Sequence, residues 1–263
     1  MSLKVYDLTH TFKQFMPEWP SSPSVNIDVD KFHARDGIWQ VQWEGIMHRC
    51  THMDAPLHVT ENTPTINDYP LWRLFGTGVC ISLPMEKWGV ITPELLEKAT
   101  PKIQEGDIVV INTGYHRKWY DTDEYFAHGP GACKEAAEWF VQKKVKMVAY
   151  GCQANDHPIA TKLVNHGLGP THPHLIEEYK TEKGVDPLSD FPLWEPAHKT
   201  LMCVGGIPGI ENAGDDFGDM DAVTGKRCTF MCFPWRWPGG VGCIVRLLAI
   251  VDSDGSFRFE TGK

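Results

Sequence analysis

The stretch His48–His58, HRCTHMDAPLH, decides how the rest of the chain is read. Three histidines and one aspartate fall within these eleven residues. His48, His52, Asp54 and His58 share one parity, so in an extended chain they point to one face. At about 3.3 Å per residue, His52 and Asp54 stand roughly 7 Å apart, and their side chains can converge on one ion. His48 and His58 are too distant along a straight strand, so the spacing predicts a bend. Pro56 supports one: it disfavours helix for the residue before it and gives no donor to a ladder. The helical HExxH zinc motif does not fit, because no glutamate follows the first histidine and proline interrupts the run. The bland reading is a polar loop with scattered histidines. Burying so many polar groups in an apolar stretch without a shared partner is costly, which favours a metal site. Imidazole together with carboxylate suits zinc or manganese, and the stretch alone does not choose between them.

Around this segment the chain reads as one α/β domain. Before it, LKVYDLT (3–9), VNIDVD (25–30) and WQVQWEGIM (39–47) mix β-branched and aromatic residues, separated by the Pro-rich turn MPEWPSSP. After it, 78–83 is a further short apolar run. Thr92 followed by Pro93 and Glu94 predicts a capped helix start reaching about Ala99. A βαβ-like unit comes next: DIVVINTG (107–114) as a buried strand, 132–144 as a helix, and VKMVAYG (145–151) as the returning strand. Short helices are expected around 158–165 and 172–183. GCIVRLLAIVD (242–252) reads as one buried strand. No repeat or linker divides the chain, and the early strands lack crossover helices, so a mixed sheet is expected.

Composition narrows the function classes. The 263 residues are 42% hydrophobic and 22% charged, as in ordinary globular domains. The longest apolar run, Cys243–Val251, holds Arg246 and falls short of the roughly 18 residues of a spanning helix. The opening MSLKVYDLTH has no apolar signal core, so a cytoplasmic location is expected, with no membrane partner. A net charge of -9 argues against a nucleic-acid partner. The eight cysteines are expected as reduced thiols, and Cys228 with Cys232 lacks the second pair a zinc ribbon requires. No GxSxG, Walker A or GxGxxG pattern occurs, which leaves serine hydrolase, P-loop and Rossmann readings unsupported.

HRCTHMDAPLH resembles the H-x-G-T-H-x-D-x-P-x-H signature of the cyclase family of metal-dependent hydrolases, which includes bacterial kynurenine formamidases and isatin hydrolases. Cys50 stands where that family has glycine. DLTHTFKQFMPEWP, GDIVVINTGY, VAYGCQANDHP, AHKTLMCVGGIPGIENAG and VRLLAIV resemble further family segments, so the likeness runs from Tyr6 to Val251. It implies a swivelling β/β/α fold, a homodimer or homotetramer, and one or two divalent metals per chain. By the same likeness His48, His52 and Asp54 ligate a first metal, with Asp54 able to bridge to a second held by His198 and Glu211. A formamidase-like site would hold two metals and an isatin hydrolase-like site one. His58 is the implied general acid/base, or else a prop that orients a ligand. The implied substrate is a small amide, either an aryl formamide or a cyclic amide.

Other residues carry two readings each. Cys50 either packs or, as a thiolate, adds a ligand. Trp19 either lies against an aromatic substrate or packs its own turn. Arg236, in FPWRWPGG, is a candidate for binding a substrate carboxylate. His166, His172 and His174 fall in an apparent insertion (155–196), as a surface loop or as the substrate mouth. Two rival functions remain: a metal-dependent lyase, and a metal-containing binding protein without turnover.

Overall fold

The computed structural model describes residues 3–120, 122–164 and 171–253. Its strands are β1 (Leu3–Asp7), β2 (Asn26–Lys31), β3 (Gln40–Glu44), β4 (His52–Asp54), β5 (Phe75–Ser82), β6 (Val90–Ile91) and β7 (Ile108–Asn112). They continue with β8 (Gly131–Ala132), β9 (Met147–Tyr150), β10 (Gly209–Glu211), β11 (Lys226–Cys232), β12 (Gly242–Ile244) and β13 (Leu247–Asp252). Nine of them form one mixed sheet in the order β1-β13-β11-β5-β7-β9-β10-β4-β12. The middle four, β5-β7-β9-β10, run parallel, and antiparallel strands flank them on both sides.

The central strands are apolar on both faces, as parallel strands covered from both sides must be. Val79, Ile81, Val109, Ile111 and Val148 enter one core. Their alternates Cys80, Ile108, Val110, Met147 and Ala149 enter the other. The helix Lys134–Lys143 links β7 to β9 and buries Ala136, Ala137 and Phe140 against the first core. Truncating a side chain as fully enclosed as Phe140 costs about 3–5 kcal/mol. The α/β class, the mixed sheet and the βαβ unit thus follow the sequence reading.

Several elements differ from it. The apolar run 242–252 is two strands, not one: β12 pairs with β4, while β13 lies across the sheet between β11 and β1. The break lets Arg246 reach the surface, where it pairs with Asp7 at 2.6 Å. β11 was not expected at all. Of the stretch 158–165, the described residues 158–164 hold only the 3-10 turn Pro158–Ala160, and the Thr92 side chain makes no capping bond to its helix. β2 and β3 stay out of the main sheet as a separate hairpin. Within 155–196, Ile159, Leu163, Val164, Leu175 and Tyr179 build a small satellite core with Trp88. All eight cysteines are free. Among the described residues, no helix is long and apolar enough to cross a membrane.

Candidate metal centre

Strand parity assembles the first part of the site. Met53, at the middle of β4, is fully buried in the second core. His52 and Asp54 therefore face the opposite side, where β10 supplies Glu211 directly across from His52. His52 Nε2 lies 3.5 Å from Glu211 Oε2 and 3.4 Å from Asp54 Oδ1. The chain bends on either side of β4. Pro56–His58 forms a 3-10 turn, and the bend stacks the His58 ring on His48 with centroids 3.9 Å apart. His48 Nδ1 then sits 2.7 Å from Asp54 Oδ1. β12 leaves room for His48, because a Cβ on Gly242 would come within 2.4 Å of that ring.

His198 arrives from the short helix Pro196–His198. The Asp156 carboxylate, fully buried, accepts the backbone N–H groups of Ala197 and His198 at 2.8 Å each and the His198 Nδ1–H at 2.6 Å. That contact turns His198 Nε2 toward Glu211 Oε1 at 2.9 Å and Asp54 Oδ2 at 3.6 Å. The Asn155 N–H fixes the same Glu211 oxygen at 2.8 Å. On the other side His52 Nδ1–H donates to the Cys50 carbonyl at 2.9 Å, leaving Nε2 as the free lone pair. Both imidazoles thus have one nitrogen anchored and the other aimed inward, the usual arrangement of metal-ligating histidine.

The result is two overlapping triads that share Asp54: His48–His52–Asp54 and Asp54–His198–Glu211. A test of fit comes from Asp54 itself. Both of its oxygens are buried and accept no well-aligned hydrogen bond, although three imidazoles crowd them. A buried carboxylate in that condition is expensive unless a cation completes it. Burial works against its charge, but His52, His48 and His198 outweigh burial and hold its pKa well below the ordinary carboxylate value. Burial likewise opposes charge on His198, yet Asp156, Asp54 and Glu211 raise its pKa well above 6.5. The cluster is therefore built to hold positive charge, and imidazole with carboxylate fits zinc or manganese.

His58 belongs to neither triad. Part of its surface is open to solvent. The surrounding protein lowers its pKa, and the imidazoles of His48, His198 and His52 add to this against the pull of Asp54. At pH 7 it is a neutral imidazole beside the ligand cluster. Cys50 occupies the left-handed region at φ 53°, the conformation glycine takes without strain. Its thiol donates to the His10 carbonyl at 3.0 Å, and burial pushes its pKa up to about 12. Held by that contact, it joins neither triad and packs beside them.

His48, His52, His198 and Glu211, with Cys50 and His58, form the floor of a cavity of about 180 Å³, walled by Trp19, Trp119 and Phe126. Trp19 meets Phe126 edge-on with centroids 5.7 Å apart. Arg236 is exposed on the segment between β11 and β12 and does not line the cavity. Nor do His172 and His174, whose rings lie 5.4 Å apart at the start of the helix His174–Lys183; His166 lies outside the described residues. Arg49 and Glu195, which line the cavity, were not among the residues expected from the sequence, and Asp156 entered there only as part of a segment resembling the family, with no role given to it. Only the polar run QANDHP (153–158), lying past a buried strand, hinted at Asp156.

The molecule has structural relatives. Isatin hydrolase A from Ralstonia solanacearum superimposes with a TM-score of 0.73 at 18% identity, over 95% of this chain and 92% of that one. Isatin hydrolase A from Labrenzia aggregata, bound to benzyl benzoate, gives 0.70 at 18% identity over 95% and 94%. A predicted metal-dependent hydrolase from Bacillus stearothermophilus gives 0.64 at 21% identity over 95% and 99%. At such identities the likeness speaks to fold, and the single α/β domain with its large mixed sheet is theirs. No curated protein sequence matches the chain. Residues 6–157 match the family model described as "Putative cyclase". That span is more than half of the chain and contains β4 with both of its flanking bends, so the chain is a member of the cyclase family.

Proposed function

We propose that this protein is a divalent-metal-dependent hydrolase that cleaves the C–N bond of a small amide, an aryl formamide or a cyclic amide such as an isatin-like lactam. The observation that carries this reading is the pair of triads sharing Asp54 on the floor of an aromatic-walled cavity. In this reading His48, His52 and Asp54 hold one zinc or manganese ion, and Asp54, His198 and Glu211 hold a second. Such an ion lowers the pKa of bound water from 15.7 to about 7 and polarises a carbonyl.

The protein supplies the rest. Trp19, Trp119 and Phe126 offer flat apolar walls, and a cavity of about 180 Å³ exceeds the roughly 150 Å³ that accepts benzene, so one aromatic ring with a small substituent fits. Neutral His58 accepts the proton released by the attacking water at an imidazole nitrogen and returns it to the departing amide nitrogen, worth about 100-fold to 10,000-fold in rate. Asp156 and the Cys50 carbonyl keep His198 and His52 in the ligating tautomer. We also propose a homodimer or homotetramer, supported by the β2–β3 hairpin, where Val29, Trp39 and Val41 are exposed apolar groups.

The test is metal analysis of the purified protein by mass spectrometry, with chelation and metal re-addition assayed on N-formylkynurenine and isatin. About two equivalents of metal per chain, with metal-restored turnover, supports the binuclear reading. One equivalent with preference for the lactam reassigns His198 or Glu211 to orienting a ligand. Absence of tightly bound metal and of turnover on either compound overturns the hydrolase reading. Solvent oxygen in the product separates hydrolysis from elimination by a lyase.

A further inference from the structure

Three carboxylates line the cavity: Glu18, Glu195 and Glu211. Glu211 belongs to the second triad, and Glu18 Oε1 is taken by the Val25 N–H at 2.7 Å. Glu195 is not engaged in this way. Among the described residues its carboxylate makes no hydrogen bond or ion pair, part of the side chain is open, and neither oxygen is sealed from solvent. The charges acting on it most are those of His198, Asp156, Lys162 and Glu211, which places the carboxylate beside the second triad. Lys162 does not close on it; its Nζ lies 4.9 Å over the Trp194 ring. Burial raises the Glu195 pKa, yet the side chain offers an acceptor oxygen in either protonation state.

The backbone at Glu195 is unusual as well. It sits at φ 46° and ψ 51°, in the left-handed region that residues with a Cβ rarely occupy. Pro196 follows, and a proline normally keeps its predecessor extended. Glycine would take this turn without strain, so a glutamate there points to a use for the side chain. The Glu195 N–H donates to the Ala160 carbonyl at 2.8 Å, and its own carbonyl accepts the Lys199 N–H at 3.2 Å, so the carboxylate is mounted on a held backbone. A secondary amide offers one acceptor, its carbonyl oxygen, and one donor, its N–H. In the hydrolase reading the metal cluster receives the carbonyl, while His58 stands on the His48 side of that cluster. Glu195 stands on the His198 side with an open acceptor. A carboxylate that accepts an N–H forms a charge-assisted bond, about twice as strong as a neutral one.

We infer that Glu195 accepts the N–H of the bound amide and so selects secondary amides and N–H lactams over esters and ketones of the same shape. The inference rests on the hydrolase reading for the reaction and on Glu195 alone for the selection. It is tested by kcat/KM of the metal-loaded protein for formanilide and for phenyl formate, which has oxygen in place of the N–H, in the wild type, Glu195→Ala and Glu195→Gln. In Glu195→Ala the value for formanilide is expected to fall about 10-fold to 100-fold, the effect of one hydrogen bond to a charged group, and that for phenyl formate less than about twofold. Glu195→Gln keeps an acceptor oxygen and retains part of the activity on formanilide. Metal content is unchanged in both variants, since Glu195 lies outside both triads; metal loss would mark it as a ligand and overturn the inference. Equal losses on the two substrates, or no loss on formanilide, overturn it as well. Calorimetric binding of oxindole and of 2-indanone, which has a methylene group in place of the N–H, separates the two readings. Tighter binding of oxindole by the wild type and equal binding of both by Glu195→Ala, with neither formanilide nor phenyl formate cleaved, keeps the N–H site and removes the hydrolase. Equal binding of both by the wild type, with formanilide cleaved, removes the N–H site and keeps the hydrolase.

Discussion

Replacing Asp156 tests whether the metal centre is organised from behind. The carboxylate is fully enclosed and accepts three donors: two backbone N–H groups at 2.8 Å and the His198 Nδ1–H at 2.6 Å. Asp156→Ala leaves all three without an acceptor, at about 1–3 kcal/mol for each buried group. One water entering the vacated space offsets part of this, so the net loss is about 3–5 kcal/mol. That is a large fraction of the roughly 5–15 kcal/mol by which a domain is stable. Asp156→Asn keeps an acceptor oxygen and folds, but it no longer holds His198 in one tautomer. Metal affinity is then expected to fall about 10-fold to 100-fold, the usual effect of losing such an outer partner. Urea denaturation in the presence of a chelator measures the first quantity without metal contributing, and competition with a chromogenic chelator measures the second. A loss under about 1 kcal/mol for the alanine variant, together with unchanged zinc affinity for the asparagine variant, would refute the reasoning.

Three further outcomes are expected. His58→Gln retains wild-type metal content while kcat falls by about 100-fold or more; metal loss in this variant would instead mark His58 as a ligand. Gly242→Ala places a methyl group within 2.4 Å of the His48 ring, so a melting experiment should show an overpacking loss of about 1–3 kcal/mol, with metal bound more weakly. Burial lowers the pKa of His10 to about 4 and of His157 to about 3, so both are neutral in the folded protein at pH 7. Their folded pKa values lie below the unfolded 6.5, so the stability they contribute is intact above pH 6.5 and declines as pH falls toward 4. Between pH 7 and pH 5 the decline is about 2 kcal/mol per histidine, and an unchanged urea midpoint across that range would exclude it.

Much of the centre was legible because strand parity is a local rule. Alternation around Met53 placed His52 and Asp54 on one face, and Pro56 predicted the bend that stacks His58 on His48. The βαβ unit was legible for a similar reason, since β7 and β9 are apolar throughout and the helix between them is amphipathic. His198 and Glu211 were reached through family likeness alone: nothing local in PAHK or GIEN distinguishes a ligand from a surface charge. β11 is hard to see in sequence because KRCTFMC shows its cysteine spacing more plainly than its strand-forming Thr229 and Phe230. The break between β12 and β13 has no proline or glycine to announce it; two different strand partners, distant in sequence, impose it. Arg49 and Asp156 are decided by what encloses them, and enclosure is a property of the assembled molecule.

β4 is three residues long and owes its place to β10 on one side and β12 on the other, which come from the last quarter of the chain. During synthesis His52 and Asp54 emerge early, but they have no strand to lie against until Gly209–Glu211 has been made, and β4 is flanked on both sides only once Ile244 follows. A nascent or C-terminally shortened chain therefore carries the motif without the site. Metal uptake then reports on completion of the fold, and the ion, binding the finished form alone, acts as a clasp joining segments made at opposite ends of translation.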